Sequence, residues 1–141
     1  MNDYIIEESN ESEAKLVIEN LVNYNLSKVP QTQEQGFMWI NRVIKDNDGK
    51  IIAGINSKMY CWNCLYIDSL WVDDNFRNEK IGTKLLNEIE KIAIERGGKL
   101  IHLDTFDFQA KDFYIKQGYE IFGVLNDCPD NHKRYYMKKD I

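Results

Sequence analysis

The chain has 141 residues, 43% hydrophobic and 29% charged, with a formal net charge of −5. That size suits one domain over residues 1–141, large enough to bury a core without metal or disulfide support. No apolar run approaches the roughly 18–20 residues that span a bilayer, no basic-then-apolar leader opens the chain, and the acidic balance argues against nucleic-acid binding, while three cysteines fit a reducing, cytoplasmic setting.

Taken in order, Tyr4, Ile5 and Ile6 predict a short strand, and Asn10 followed by Glu13 predicts a capped helix carrying Ala14, Val17, Ile18, Leu21 and Val22. The helix should fade between Leu26 and Pro30, because the residue before proline disfavours helix. After a loop over 31–35, the runs 37–44 and 51–59 read as strands around Asp46-Asn47-Asp48-Gly49, a hairpin signal because Asp-Gly tolerates positive φ. A second turn falls near Trp62-Asn63 and an apolar strand then runs from Leu65 toward Arg77. From Lys80 or Ile81 a helix follows, with Ile81, Leu85, Leu86, Ile89, Ile92 and Ala93 on one buried stripe. Beyond Gly97-Gly98 come a strand at 99–104, a helix at 109–117, and strands near 119–125 and 133–138. The fold class is α/β (α+β): a mixed, mostly antiparallel sheet flanked by helices, with one helical crossover onto a parallel neighbour.

The junction between strand and helix is chemically the most specific segment. The first amides of a helix lack intrahelical acceptors, and here they point at a loop that carries Arg77, a setting that stabilises a diphosphate. Arg77, Lys80 and Gly82 resemble the Arg/Gln-x-x-Gly-x-Gly/Ala motif of the GNAT N-acetyltransferase superfamily, with Lys80 in place of the first glycine. If that position is left-handed, a lysine costs about 1–2 kcal/mol, which its ammonium offsets by attracting phosphate. Gly82 inside a helix costs nearly 1 kcal/mol relative to alanine and so calls for a reason. Ala110, Tyr114, Gly118 and Tyr119 are similar to the second family signature, and Asp107 stands where many members carry a pantetheine-contacting asparagine.

The resemblance implies acetyl-CoA as cosubstrate, held by Leu70, Trp71, Val72, Arg77, Asn78, Glu79, Lys80, Ile81, Gly82, Thr83, Asp107 and Ala110. It implies strands that splay around the pantetheine arm, and it points to a homodimer through terminal strands. The activity implied is transfer of acetyl to a primary amine of a small molecule, by direct attack in a ternary complex and without a metal. The alternative is a catalytically weak acyl-CoA-binding or regulatory protein on the same fold.

An alkylammonium near pKa 10 must lose a proton before it attacks, so a base is required. Asp68 is the candidate, acting directly or through water, on a strand face that alternation would share with Tyr66, Leu70 and Val72. Tyr114 is placed by the resemblance near the departing sulfur as proton donor, and amides of 70–72 would stabilise the oxyanion. Some of Tyr119, Phe122, Asp127, Asp130, Tyr135 and Tyr136 would border an acceptor pocket suited to a cation. Cys61, Cys64, Cys128 and His132 form only a weak zinc pattern, and His102 reads as a packed strand residue.

Overall fold

A computed structural model describes residues 3–141, which fall into two compact units, one ending at Gln31 and one spanning Thr32–Ile141. In the first, helix α1 spans Glu11–Lys28. Its capping box forms as the sequence requires: Glu13 N donates to Asn10 Oδ1 at 2.8 Å and Asn10 N donates to Glu13 Oε1 at 3.1 Å. Val29 ends the helix in an extended conformation, as a residue before proline should. No α1 residue is buried, and Leu16, Val17, Ile18 and Leu21 stay exposed. The expected strand at Tyr4, Ile5 and Ile6 does not form: these residues are exposed and, among the described residues, pair with no strand.

The second unit is one six-stranded sheet: β1 (Phe37–Lys45), β2 (Ile51–Tyr60), β3 (Cys64–Val72), β4 (Leu100–Phe106), β5 (Glu120–Asn126) and β6 (Lys133–Asp140). The order is β1-β2-β3-β4-β6-β5, and only β3 and β4 run parallel. Helix α2 (Ile81–Glu95) makes the crossover between them, and α3 (Lys111–Lys116) lies between β4 and β5. The predicted α2 stripe is the buried one: Leu85, Leu86, Ile89 and Ala93 pack with Ile40, Ile55, Met59, Leu65, Ile67, Ile101, Leu103 and Met137. A polar clamp completes this face, where Lys139 Nζ donates to Glu90 Oε2 at 2.8 Å and to Gln117 O at 2.9 Å, tying α2 to β6 and the end of α3.

Three differences from expectation bear on function. The β2–β3 register jumps from Asn56↔Ser69 to Ser57↔Ile67, so Asp68 is the extra residue of a bulge. Alternation therefore breaks there: Leu70 and Val72 turn to the core with Leu65 and Ile67, while Asp68 and Ser69 are exposed. Asp68 does not share a face with Leu70 and Val72. Helix α3 is shorter than the predicted 109–117, because Gln109 Oε1 accepts from Phe106 N at 2.8 Å and holds the preceding residues in a turn. Strand β6 is paired on both sides, so the C-terminal strand offers no free edge for a dimer; the edges are β1 and β5. Among the described residues no helix is long and apolar enough to cross a membrane.

Candidate active site

Strands β3 and β4 pair from Cys64↔Leu100 to Ile67↔Leu103 and no further, although β3 continues to Val72 and β4 to Phe106. A gap opens there. Asp73 N donates to Ile52 O at 2.8 Å, which fixes the alternation before it: Trp71 turns its backbone groups to β2, and Leu70 and Val72 turn theirs away, into the gap. Leu70 and Val72 are thus the strand residues whose backbone a ligand could reach, and Trp71 is not.

The gap leads to the loop ahead of α2. A 3-10 turn over Asp74–Phe76 is capped by Asp73, whose Oδ1 accepts from Asn75 N at 2.9 Å. Asn78 (φ 69°) and Lys80 (φ 60°, ψ 24°) then take left-handed conformations. Lys80 therefore carries the strain its sequence position implied, about 1–2 kcal/mol. Its carbonyl accepts from Lys84 N at 3.0 Å, and no side chain caps the helix, so the amides of Ile81, Gly82 and Thr83 remain open to an anion. A Cβ on Gly82 would stand 3.4 Å from Phe113 Cζ and 3.9 Å from Val72 Cγ2, ordinary contact at the place where α2, α3 and β3 converge.

Arg77 reaches back over this loop. Its Nη2 lies 2.9 Å from Asp74 Oδ1 and its Nε donates weakly to Val72 O at 3.4 Å. With 61% of the side chain exposed, that pair contributes at most about 1 kcal/mol and yields readily to a phosphate. Beside the helix start lies an open hollow of about 480 Å³ lined by Glu79, Lys80, Thr83, Lys84, Asn87, Glu88 and Lys91. Lys84, Asn87 and Lys91 were not singled out from the sequence, yet Lys80, Lys84, Asn87 and Lys91 recur at helical spacing and could have been.

Tyr114 on α3 is only 5% exposed, with its ring against Phe113 and Tyr119. Burial pushes its phenol up to about 12. Among the described residues its hydroxyl makes no hydrogen bond, yet no fully buried side-chain oxygen or nitrogen is left unpaired, so this oxygen still meets solvent. Asp68 is the unpaired bulge residue between Ile67 and Ser69, exposed and without an ion pair among the described residues. Its charge reaches Tyr66, whose phenol is pushed up to about 12 by burial, by its 2.9 Å hydrogen bond to Asp104 Oδ2, and by the charges of Asp104 and Asp68.

Several predicted residues have other work. Asp107 Oδ1 accepts from His132 Nδ1 at 2.8 Å and Oδ2 from Lys133 N at 2.9 Å, so this carboxylate holds the β5–β6 loop. Partial desolvation works upward on it, but the Lys133 amide and His132 outweigh that and keep it below the usual carboxylate value. Ala110 N donates to Thr105 Oγ1 at 3.4 Å at the entrance to α3. Tyr119 is core, not pocket: its hydroxyl donates to Glu90 Oε2 at 3.4 Å, and burial, then the charges of Glu90 and Tyr114 and that hydrogen bond, raise its phenol far above normal. Asp127 accepts from Asn131 N at 3.3 Å within its own loop, and Tyr135 packs toward the core under Lys111. His102 shares a 2.6 Å hydrogen bond with Tyr60 and is pushed toward its neutral form by burial, with Asp104 opposing. Cys61 and Cys64 flank the turn at the start of the β3–β4 pairing, whereas Cys128 and His132 sit beyond its far end, about 20 Å of strand away. The four do not meet around one metal.

The fold that carries this gap is shared with acetyltransferases of known structure. The crystal structure of an acetyltransferase from Bacillus cereus ATCC 14579 is 38% identical and superimposes with a TM-score of 0.90 over 98% of both chains. Blasticidin-S acetyltransferase of Streptomyces morookaense is 32% identical over 94 residues, 66% of this chain and 68% of that protein. An aminoglycoside 6'-N-acetyltransferase complexed with coenzyme A shares the fold at a TM-score of 0.63 and 23% identity, over 93% of this chain and 81% of that one. The sequence model of the Acetyltransferase (GNAT) family matches residues 4–119, and the chain belongs to that family.

Proposed function

We propose that this GNAT acetyltransferase moves the acetyl group of acetyl-CoA to a primary amine of a small molecule, by direct attack while both substrates are bound. The observation that carries the proposal is the gap between β3 and β4, with the Leu70 and Val72 backbone turned into it and the uncapped amides of α2 at its foot. The dimensions of the chemistry fit: the helix amides, the Lys80 ammonium and Arg77 suit a diphosphate, and an extended strand backbone suits the amides of a pantetheine arm. Bound there, acetyl-CoA would supply an activated thioester.

The residues of the chain then divide the task. Asp68 relays a proton from the acceptor ammonium to solvent, directly or through a water, which makes the amine nucleophilic, and the second nitrogen proton leaves by the same route once the C–N bond has formed. An amide turned into the gap from Leu70 or Val72 donates to negative charge developing on the carbonyl oxygen. Tyr114 steadies the departing thiolate. Its phenol, pushed up to about 12 by burial, is a weaker acid than an ordinary thiol, which favours a hydrogen bond to the sulfur over full proton transfer. Tyr114 therefore acts as a hydrogen-bond donor, and the thiolate takes its final proton from solvent.

Calorimetric titration with CoA, followed by thiol release from acetyl-CoA across an amine panel, tests the proposal. Micromolar binding with amine-dependent thiol release is expected. Tight binding with no amine accelerating release would refute catalysis and favour an acyl-CoA-binding role.

A further inference from the structure

The sheet face turned away from α2 contains an arrangement that the acetyl-CoA site does not use. Where β3 and β4 part, this face presents Asp68, Ser69 and Trp71 from β3 and Asp104 and Phe106 from β4. Trp71 is 50% exposed. Its cross-strand neighbour on β2 is Gly54, which has no side chain, and β4 does not pair at its level, so no side chain stands directly opposite the half-exposed indole on either strand. The aromatic character continues across the gap: Phe106 stacks on Phe108 with centroids 5.2 Å apart and carries the Arg134 guanidinium 5.3 Å above its ring.

The two carboxylates on this face differ in availability. Asp104 is committed on both oxygens, with Oδ1 accepting from Arg134 Nε at 2.9 Å and Oδ2 from Tyr66 at 2.9 Å. Asp68 makes no hydrogen bond or ion pair among the described residues, and the bulge turns it to the open face. A free carboxylate therefore stands three residues, about 10 Å of backbone, from a half-exposed indole. Both lie at the mouth of the gap through which the acetyl group would be presented.

We infer that the acceptor is an arylalkylamine, a primary amine on a short arm from a planar ring, with the ring stacked on Trp71 and the ammonium at Asp68. This rests on the acetyl-transfer reading and narrows it. An ammonium alone needs only Asp68; a flat π-surface is what an exposed indole adds, since stacked rings gain contact that a saturated ring of equal bulk does not.

The test compares 2-phenylethylamine with 2-cyclohexylethylamine, matched in ammonium and arm but differing in the planar ring, with spermidine as an aliphatic reference. Thiol release at saturating acetyl-CoA gives kcat/KM for each. The ratio of aryl to saturated amine is expected to be about tenfold or more, to fall below about threefold in Trp71→Ala, and to survive in Trp71→Phe. Using a ratio cancels any effect of the substitution on CoA or on the amount of folded enzyme. A ratio near one in the wild type, a ratio unchanged in Trp71→Ala, or turnover of spermidine without 2-phenylethylamine would overturn this inference while leaving acetyl transfer intact. Failure of every amine despite CoA binding would overturn both.

Discussion

Replacing Lys80 with glycine should move stability and ligand affinity in opposite directions. Lys80 sits at φ 60° and ψ 24°, where a side chain costs about 1–2 kcal/mol. Glycine removes that strain but gives back about 0.5–1 kcal/mol through the larger freedom of its unfolded state, for a net gain of about 0.5–1 kcal/mol. With an unfolding entropy of about 2.1 cal/mol/K per residue over 141 residues, about 3 °C of melting temperature corresponds to each kcal/mol, so a rise of about 2–3 °C is expected. The same change removes an ammonium beside the open amides of α2. A unit charge about 5 Å from a phosphate contributes about 1 kcal/mol even at the dielectric of water, so CoA affinity should fall about fivefold or more. Circular-dichroism melting and titration calorimetry read the two effects separately, and the affinity difference should shrink between 20 and 500 mM salt, as screening demands. Lys80→Arg should keep the affinity of the wild type. A lower melting temperature for the glycine variant, or unchanged CoA affinity at low salt, would refute the reasoning.

Arg77→Ala should weaken CoA binding by about 1.5–3 kcal/mol in calorimetry, the usual worth of a charge-assisted phosphate contact; equal affinity would remove Arg77 from the site. Tyr114→Phe should leave CoA affinity within a few-fold and lower kcat by about tenfold or more, and a normal kcat at saturation would return Tyr114 to a packing role. Asp68→Asn should depress kcat at neutral pH and recover partly toward pH 9.5 as solvent supplies neutral amine, whereas a carboxylate that only binds the ammonium would raise the acceptor KM at constant kcat. At alkaline pH the sign is set by phenols raised in the folded state: the contribution of Tyr114, about 2–3 kcal/mol for a shift from 10 to about 12, is complete below pH 10 and lost as pH rises toward 12. Urea unfolding at pH 8, 10 and 11 should therefore show falling stability, and Tyr114→Phe should fall less steeply.

What the sequence made legible follows from how local each cause is. The capping box at Asn10 and Glu13, the Asp46–Gly49 turn and the α2 stripe depend on neighbours three or four residues apart, and each formed as read. The left-handed Lys80 was foreseeable because its place in the motif names a backbone conformation. Asp68 shows where such reading stops. A bulge depends on the register that β2 imposes on β3; the apolar residues at 65, 67, 70 and 72 change phase across Asp68-Ser69, which strict alternation passes over, and one extra residue moved Leu70 and Val72 to the other face. Asp107 and Tyr119 are similar cases, fixed by the non-local partners Lys133, His132 and Glu90. The residues 4–6 read as a strand from composition alone, but a strand exists only with a neighbour.

The insertion of β6 between β4 and β5 also dictates an order of assembly. Strand β5 leaves the ribosome before β6 but touches the sheet only through it, so β5 has no docking edge until residues 133–140 arrive. The sheet must stay open at β4 during synthesis and be closed by its latest strand, which also brings Met137 into the core and Lys139 to Glu90 on α2. Loss of that one segment would strip two strands from the sheet and leave a buried carboxylate without its cation, so nascent chains that stop short of β6 should be prime substrates for degradation.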